Sequence, residues 1–165
     1  MGDKTLNNLA KAFAGESQAN RKYLAFAKKA EAEGNSQVAK LFRAAAEGET
    51  IHALAHLSKM GVVGSTAENL QKAISGETEE FTDMYPKMIT EAEEEGEAAA
   101  KLGFSNANEV EKRHAELYQK ALDNLGNNPE SEYFVCSVCG YLAEGEAPQV
   151  CPVCGAPMTS FEKVE

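Results

Sequence analysis

EGETIHALAH, residues 47–56, has the spacing of an amphipathic helix, yet the stripe a helix normally turns inward carries Glu49, His52 and His56. A buried, unpaired carboxylate is costly enough to protonate or to distort the fold. The stripe is therefore either solvated or compensated by cations. Followed outward, Val38, Phe42 and Ala45 keep the same alternating spacing of three and four. The pattern predicts a helix over 36–60, restarted by Gly34-Asn35-Ser36 and ended by Gly61.

Comparison of the chain with itself shows that this stretch belongs to a duplicated unit. TLNNLAKAFAGES (5–17) returns as TAENLQKAISGET (66–78), 61 residues later. Further on the offset is 62: Tyr23 pairs with Tyr85, AEAEG (30–34) with AEEEG (92–96), and E-x-x-H at 49–52 with E-x-x-H at 111–114. Four helices are expected, roughly 5–33, 36–60, 66–98 and 106–125. Ser65-Thr66-Ala67-Glu68 reads as a capping box opening the third, Pro86 is expected to kink it, and Gly103 to Asn106 to end it. The fold class is an all-α four-helix bundle with a small metal-knuckle tail, divided as residues 1–129 and 130–165.

Seams predicted to face one another carry Glu16 and Glu77 from two helices, and Glu49/His52 and Glu111/His114 from the other two. Residues three apart share a helix face, so each Glu-x-x-His pair reaches one metal region. One Glu from each of two helices plus Glu-x-x-His from each of two others is the ligand set of a carboxylate-bridged dinuclear site, iron or manganese. One E-x-x-H alone carries little weight; two at matching places of a duplicated unit, each with a Gly-Glu on its first helix, point to a dinuclear site. Glu80, whose counterpart is Ala19, breaks the symmetry as a possible seventh ligand. Tyr23 and Tyr85 are read as core residues whose hydroxyls hold the carboxylates, and His56, opposite Tyr118, as a hydrogen-bonded core histidine.

All four cysteines lie in the tail, spaced Cys136-x2-Cys139-x11-Cys151-x2-Cys154. This is tetrathiolate spacing, with Gly140 and Gly155 permitting the tight knuckle turns. Zinc as a staple and a single iron as a one-electron carrier both suit four thiolates, and a neighbouring di-iron site favours iron. Tyr133, Tyr141 and Phe161 are expected to form the small core around it. The 26 acids against 16 bases give a net charge of −10, which disfavours nucleic acid and anionic membrane as partners. No apolar run approaches membrane-spanning length, and a cytoplasmic location is expected.

AFAGESQAN (12–20), E-x-x-H-A (49–53), GETEEFTDMYP (76–86), VEKRHAELY (110–118), CSVCGY and CPVCG together resemble the rubrerythrins, over essentially the whole chain. The resemblance implies a ferritin-like di-iron bundle with a rubredoxin-like tail. It implies a peroxidase that reduces hydrogen peroxide to water, with electrons from reduced pyridine nucleotide delivered by a separate reductase or rubredoxin. By motif, Glu16, Glu49, Glu77, Glu80, Glu111 and His114 would hold the oxidised di-iron site, with Glu49 and Glu111 bridging. His52 would replace Glu80 on one iron upon reduction. An iron-oxidising or iron-storing protein with a zinc-stapled tail is the alternative, and a zinc-ribbon interaction protein a third reading.

In ferritin-like bundles the second and third helices run parallel. A 25-residue helix is about 38 Å long, whereas the link Gly61 to Ser65 spans only about 17 Å. A homodimer swapped between helix pairs is therefore expected, each site combining Glu16, Glu49 and His52 of one chain with Glu77, Glu80, Glu111 and His114 of its partner.

Overall fold

The computed structural model describes residues 1–165, which divide into two compact units, Met1–Gly64 and Ser65–Glu165. The first is a helical hairpin of α1 (Asp3–Ala32) and α2 (Ser36–Met60). Its turn is closed by Gly34 at φ +80°, a left-handed conformation open to glycine, and braced by Glu31, which accepts from Ser36 and Arg43. Ala39, Ala46 and Ala53 are buried at seven-residue intervals along α2, Ala27 and Ala30 are buried on α1, and α1 packs along α2 through such small residues. Asn20 pins their register by donating to the Ala46 carbonyl (2.7 Å) and to Thr50 Oγ1 (2.8 Å).

The second unit begins at the capping box. Ser65 Oγ accepts from the Glu68 amide while the Glu68 carboxylate accepts from the Ser65 amide at 2.7 Å. From there α3 (Thr66–Glu79), one π-helical turn (Glu80–Met84) and α4 (Tyr85–Glu94) run on as one helical segment packed against α5 (Ala98–Asp123). The Tyr85 amide bonds to the Glu80 carbonyl, five residues back. A π turn of this kind absorbs one extra residue in a helix, and it lies between the stretch where the repeat offset is 61 and the stretch where it is 62. It also answers the expectation of a kink at Pro86. The proline ring would clash with the carbonyl of Thr82 in a regular helix, and Thr82 sits within the π turn.

The predicted break at Gly103–Asn106 is not present. Those residues lie inside α5, which begins at Ala98, and the turn is made by Gly96 at φ +75°. Gly96 is the repeat partner of Gly34, so the same left-handed turn closes both hairpins.

Beyond α5, strands β1 (Tyr133–Cys136), β2 (Leu142–Glu144) and β3 (Phe161–Lys163) form an antiparallel sheet in the order β2-β1-β3. Phe134 pairs with Ala143, and Cys136 with Phe161. Cys136, Cys151 and Ala143 are its buried residues; Tyr133, expected in this core, is 41% exposed, as the first residue of its strand. The sheet rests on α5 through β2, with Arg113 Nε donating to the Leu142 carbonyl and Lys120 paired with Glu144 at 2.6 Å. No helix is long and apolar enough to cross a membrane.

Candidate metal centres

Each unit gathers one Glu from its first helix and one Glu-x-x-His from its second. In the first, the ligand atoms of Glu16, Glu49 and His52 lie within 4.8 Å of one another; in the second, those of Glu77, Glu111 and His114 do. The spacing of three brings His52 Nδ1 to 3.1 Å from Glu49 and His114 Nδ1 to 2.8 Å from Glu111.

The electrostatics are those of crowded carboxylates that the neighbouring imidazoles offset only in part. The hydrogen bond to Glu49 raises Glu16 above the ordinary carboxylate value, and the same bond, with His52, lowers Glu49. Burial, then the charge of Glu111, raises Glu77. Glu80 stands at the start of the π turn, outside the tight cluster, and burial and then Glu77 raise it. Burial also raises the hydroxyls of Tyr85 and Tyr118, which lie in the field of Glu77 and Glu111. Tyr23 belongs to an aromatic cluster instead, its ring centroid 6.2 Å from Phe42 and 6.3 Å from Phe26. A bound cation relieves this repulsion, and hard oxygen donors with imidazole suit iron or manganese.

The halves are not equivalent. The His52 side chain is 61% exposed, whereas that of His114 is 19% exposed. The covering group is the first knuckle, whose Gly140 carbonyl lies 3.3 Å from His114 Nε2. A carbonyl only accepts, so Nε2–H donates to it, which leaves Nδ1 on the side of Glu111 and Glu77 as the nitrogen available to a metal. The sequence carries no local sign of this contact. His56 departs from expectation: its Nδ1 is enclosed without a hydrogen-bond partner, although the residue lies close enough to Glu16 to lower its pKa.

The four cysteines are free thiols that converge in the tail, with Sγ separations of 3.7 Å for Cys136–Cys154 and 3.6 Å for Cys139–Cys151. A tetrahedron with metal–sulfur bonds of about 2.3 Å has edges of about 3.8 Å. Burial pushes the thiols of Cys139 and Cys154 up. Burial disfavours the Cys136 thiolate too, but the backbone N–H groups of Cys139 and Val138 outweigh it and hold that thiol below its ordinary value. Backbone amides aimed at sulfur are what a thiolate-bound metal requires.

Fold and donor sets together define a ferritin-like dinuclear carboxylate protein carrying a rubredoxin-like tetrathiolate module. The family model for rubrerythrin matches residues 7–122, and that for the rubrerythrin rubredoxin-like domain matches residues 134–162. Among curated relatives, Rubrerythrin-1 of Clostridium acetobutylicum is 36% identical, the match covering 98% of this chain and 94% of the relative. Rubrerythrin of Porphyromonas gingivalis is 37% identical over 99% of this chain and 92% of its own. A solved structure of fully reduced nigerythrin matches with TM-score 0.60 at 35% identity, over 99% of this chain and 88% of that one. The chain belongs to the rubrerythrin family, and its two donor sets match the iron cofactors of that family.

Proposed function

We propose that the protein is a cytoplasmic peroxidase of oxidative-stress defence, reducing hydrogen peroxide to two waters with two electrons and two protons. The observation that carries this reading is the hydrogen bond joining His114 of the carboxylate cluster to the Gly140 carbonyl of the tetrathiolate knuckle. An iron-handling protein has no need of a thiolate centre wired to its carboxylate site. Iron, when bound, supplies the electrons that cleave the O–O bond. Glu16, Glu49, Glu77, Glu111 and His114 would hold the two ions, with Glu49 and Glu111 as the pair shared between them. His52 and Glu80 are the exchangeable ligands, a role supported by the exposure of the first and the position of the second outside the cluster. Cys136, Cys139, Cys151 and Cys154 hold the electron-carrying iron, fed by a rubredoxin or an NAD(P)H-dependent reductase. Residues 1–129 and 130–165 are the corresponding domains.

The swapped homodimer belongs to the same proposal. α3 is helical from Thr66, so no unwinding lengthens the link from Gly61 to Ser65. Each unit leaves large apolar side chains uncovered, among them Leu41 at 67% and Leu102 at 63%. The units have opposite charge: residues 1–64 carry nine bases and six acids, residues 65–165 seven bases and 20 acids. Complementary charge favours pairing of unlike units between copies.

The test is an anaerobic titration of fully reduced, iron-quantified protein with hydrogen peroxide, following the di-iron and tetrathiolate absorptions separately. Stoichiometric oxidation of the first, followed by loss of electrons from the second with the appearance of its ferric absorption, and repeated turnover with a donor, is expected. A tail holding only zinc from iron-replete cells, or faster reaction with dioxygen than with peroxide, would favour the iron-handling reading.

A further inference from the structure

We infer that the tetrathiolate knuckle is the orienting device for His114, so that filling the four-cysteine site strengthens metal binding at the carboxylate site. The inference rests on the metal-site reading above and extends it to the coupling between the two centres.

His114 must offer Nδ1 to a metal held with Glu77 and Glu111, from which it lies 3.7 and 2.8 Å. That tautomer needs an acceptor for the Nε2 proton, and the Gly140 carbonyl at 3.3 Å is the one the structure provides. Its position is set by the knuckle. Gly140 follows Cys139, its amide donates to the Cys136 carbonyl at 2.8 Å, and its φ of +86° is a conformation side chains rarely adopt. A Cβ there would stand 3.8 Å from Val110, which is buried on α5 one residue before Glu111. A metal bound to all four sulfurs ties the two knuckle turns together, and with them the carbonyl that Gly140 presents.

Two cations on α5 lock the sheet in place on either side of this contact. Arg113, next to His114, donates to the Leu142 carbonyl, and Lys120, two turns on, pairs with Glu144, whose side chain is only 16% exposed. Gly140 is thus a positioning residue, and Arg113 and Lys120 hold it to its task. Outer hydrogen-bond partners of ligating histidines change metal affinity by roughly 10–100-fold when removed.

The experiment uses the full-length chain with Mn(II) as probe, since manganese prefers oxygen and imidazole to thiolate. Free Mn(II) is counted by electron paramagnetic resonance, with the four-cysteine site filled with Zn(II). Three variants are compared with the wild type: Cys151→Ser/Cys154→Ser, which empties the knuckle; Lys120→Glu, which undocks β2; and Lys120→Glu/Glu144→Lys, which restores the pair. None touches a carboxylate-site ligand, and circular dichroism verifies the helices. The first two are expected to weaken Mn(II) binding roughly 10–100-fold and to lose the Nε2-protonated 15N signature of His114 in the manganese-free protein. The charge-swapped pair is expected to recover both. Unchanged affinity and an unchanged His114 signature in helical, knuckle-empty protein would overturn the coupling alone. Failure of the wild type to bind Mn(II) would overturn the metal-site reading and the coupling with it.

Discussion

At the scale of single residues, the carboxylates set the behaviour of the metal-free protein. Glu16, Glu77 and Glu80 have folded pKa values above the ordinary 4.5, so between the two values the folded state holds more protons than the unfolded chain. Stability of the chelated protein is therefore expected to rise as pH falls from 7 toward 4.5. Glu49 and Glu68 act oppositely: their contribution is present above 4.5 and is lost as pH falls through their depressed folded values, which places the reversal below 4.5. Iron-loaded protein should show the contrary trend, losing stability on acidification as protons compete for the ligands. Thermal melts of both forms between pH 7 and 5 check the pair of slopes; parallel slopes would contradict the assignment. His56 supplies a second prediction. An enclosed, unpaired nitrogen costs about 1–3 kcal/mol, so His56→Phe should be at least as stable as wild type in urea, with unchanged iron stoichiometry. A loss of more than about 1 kcal/mol would mean that Nδ1 has a partner in the assembled protein.

Elements come next, and there the capping box and the π turn make different contributions. Ser65→Ala removes the side-chain acceptor for the Glu68 amide and is expected to cost about 1 kcal/mol, read from denaturant midpoints, with metal content unchanged. The π turn carries Glu80, the proposed exchangeable ligand. Deleting Thr82, an exposed residue within it, should restore a regular helix matching α1, keep helicity by circular dichroism and withdraw Glu80 from Glu77. Iron binding is expected to fall by one ligand's worth at one position, seen as a drop in tightly bound iron toward one per site. Unchanged iron content would remove Glu80 from the ligand set. The four helical segments, the capping box, the hairpin glycines and the Glu-x-x-His pairs were legible because each is a local pattern. The start of α5 differs from the expected break at Gly103, because a glycine inside a packed helix costs only about 1 kcal/mol and does not end it. The one-residue change in repeat offset was the signal for the π turn.

At the scale of the whole molecule, each unit carries one Glu and one Glu-x-x-His and exposes large apolar side chains, and the proposed swap pairs unlike units between copies. In the swapped dimer, mixing a Glu16→Ala/Glu49→Ala chain with a Glu77→Ala/Glu111→Ala chain through refolding should give hybrids with one intact site and one empty one. Iron analysis of verified hybrids reads this directly, and hybrids that persistently lack metal would sink the swap.

By itself the sequence determined the helix pairs, the duplicated donor sets, the four-thiolate knuckle and the family, because periodicity, capping and ligand spacing are written within a few turns of chain. Only the tertiary structure decided that the Gly140 carbonyl reaches His114, that Arg113 and Lys120 hold the sheet to α5, and that His56 Nδ1 is left without a partner. Those contacts join residues 24 to 29 positions apart, or concern what a side chain fails to meet. Their partners are chosen by packing, which leaves no spacing rule in the chain.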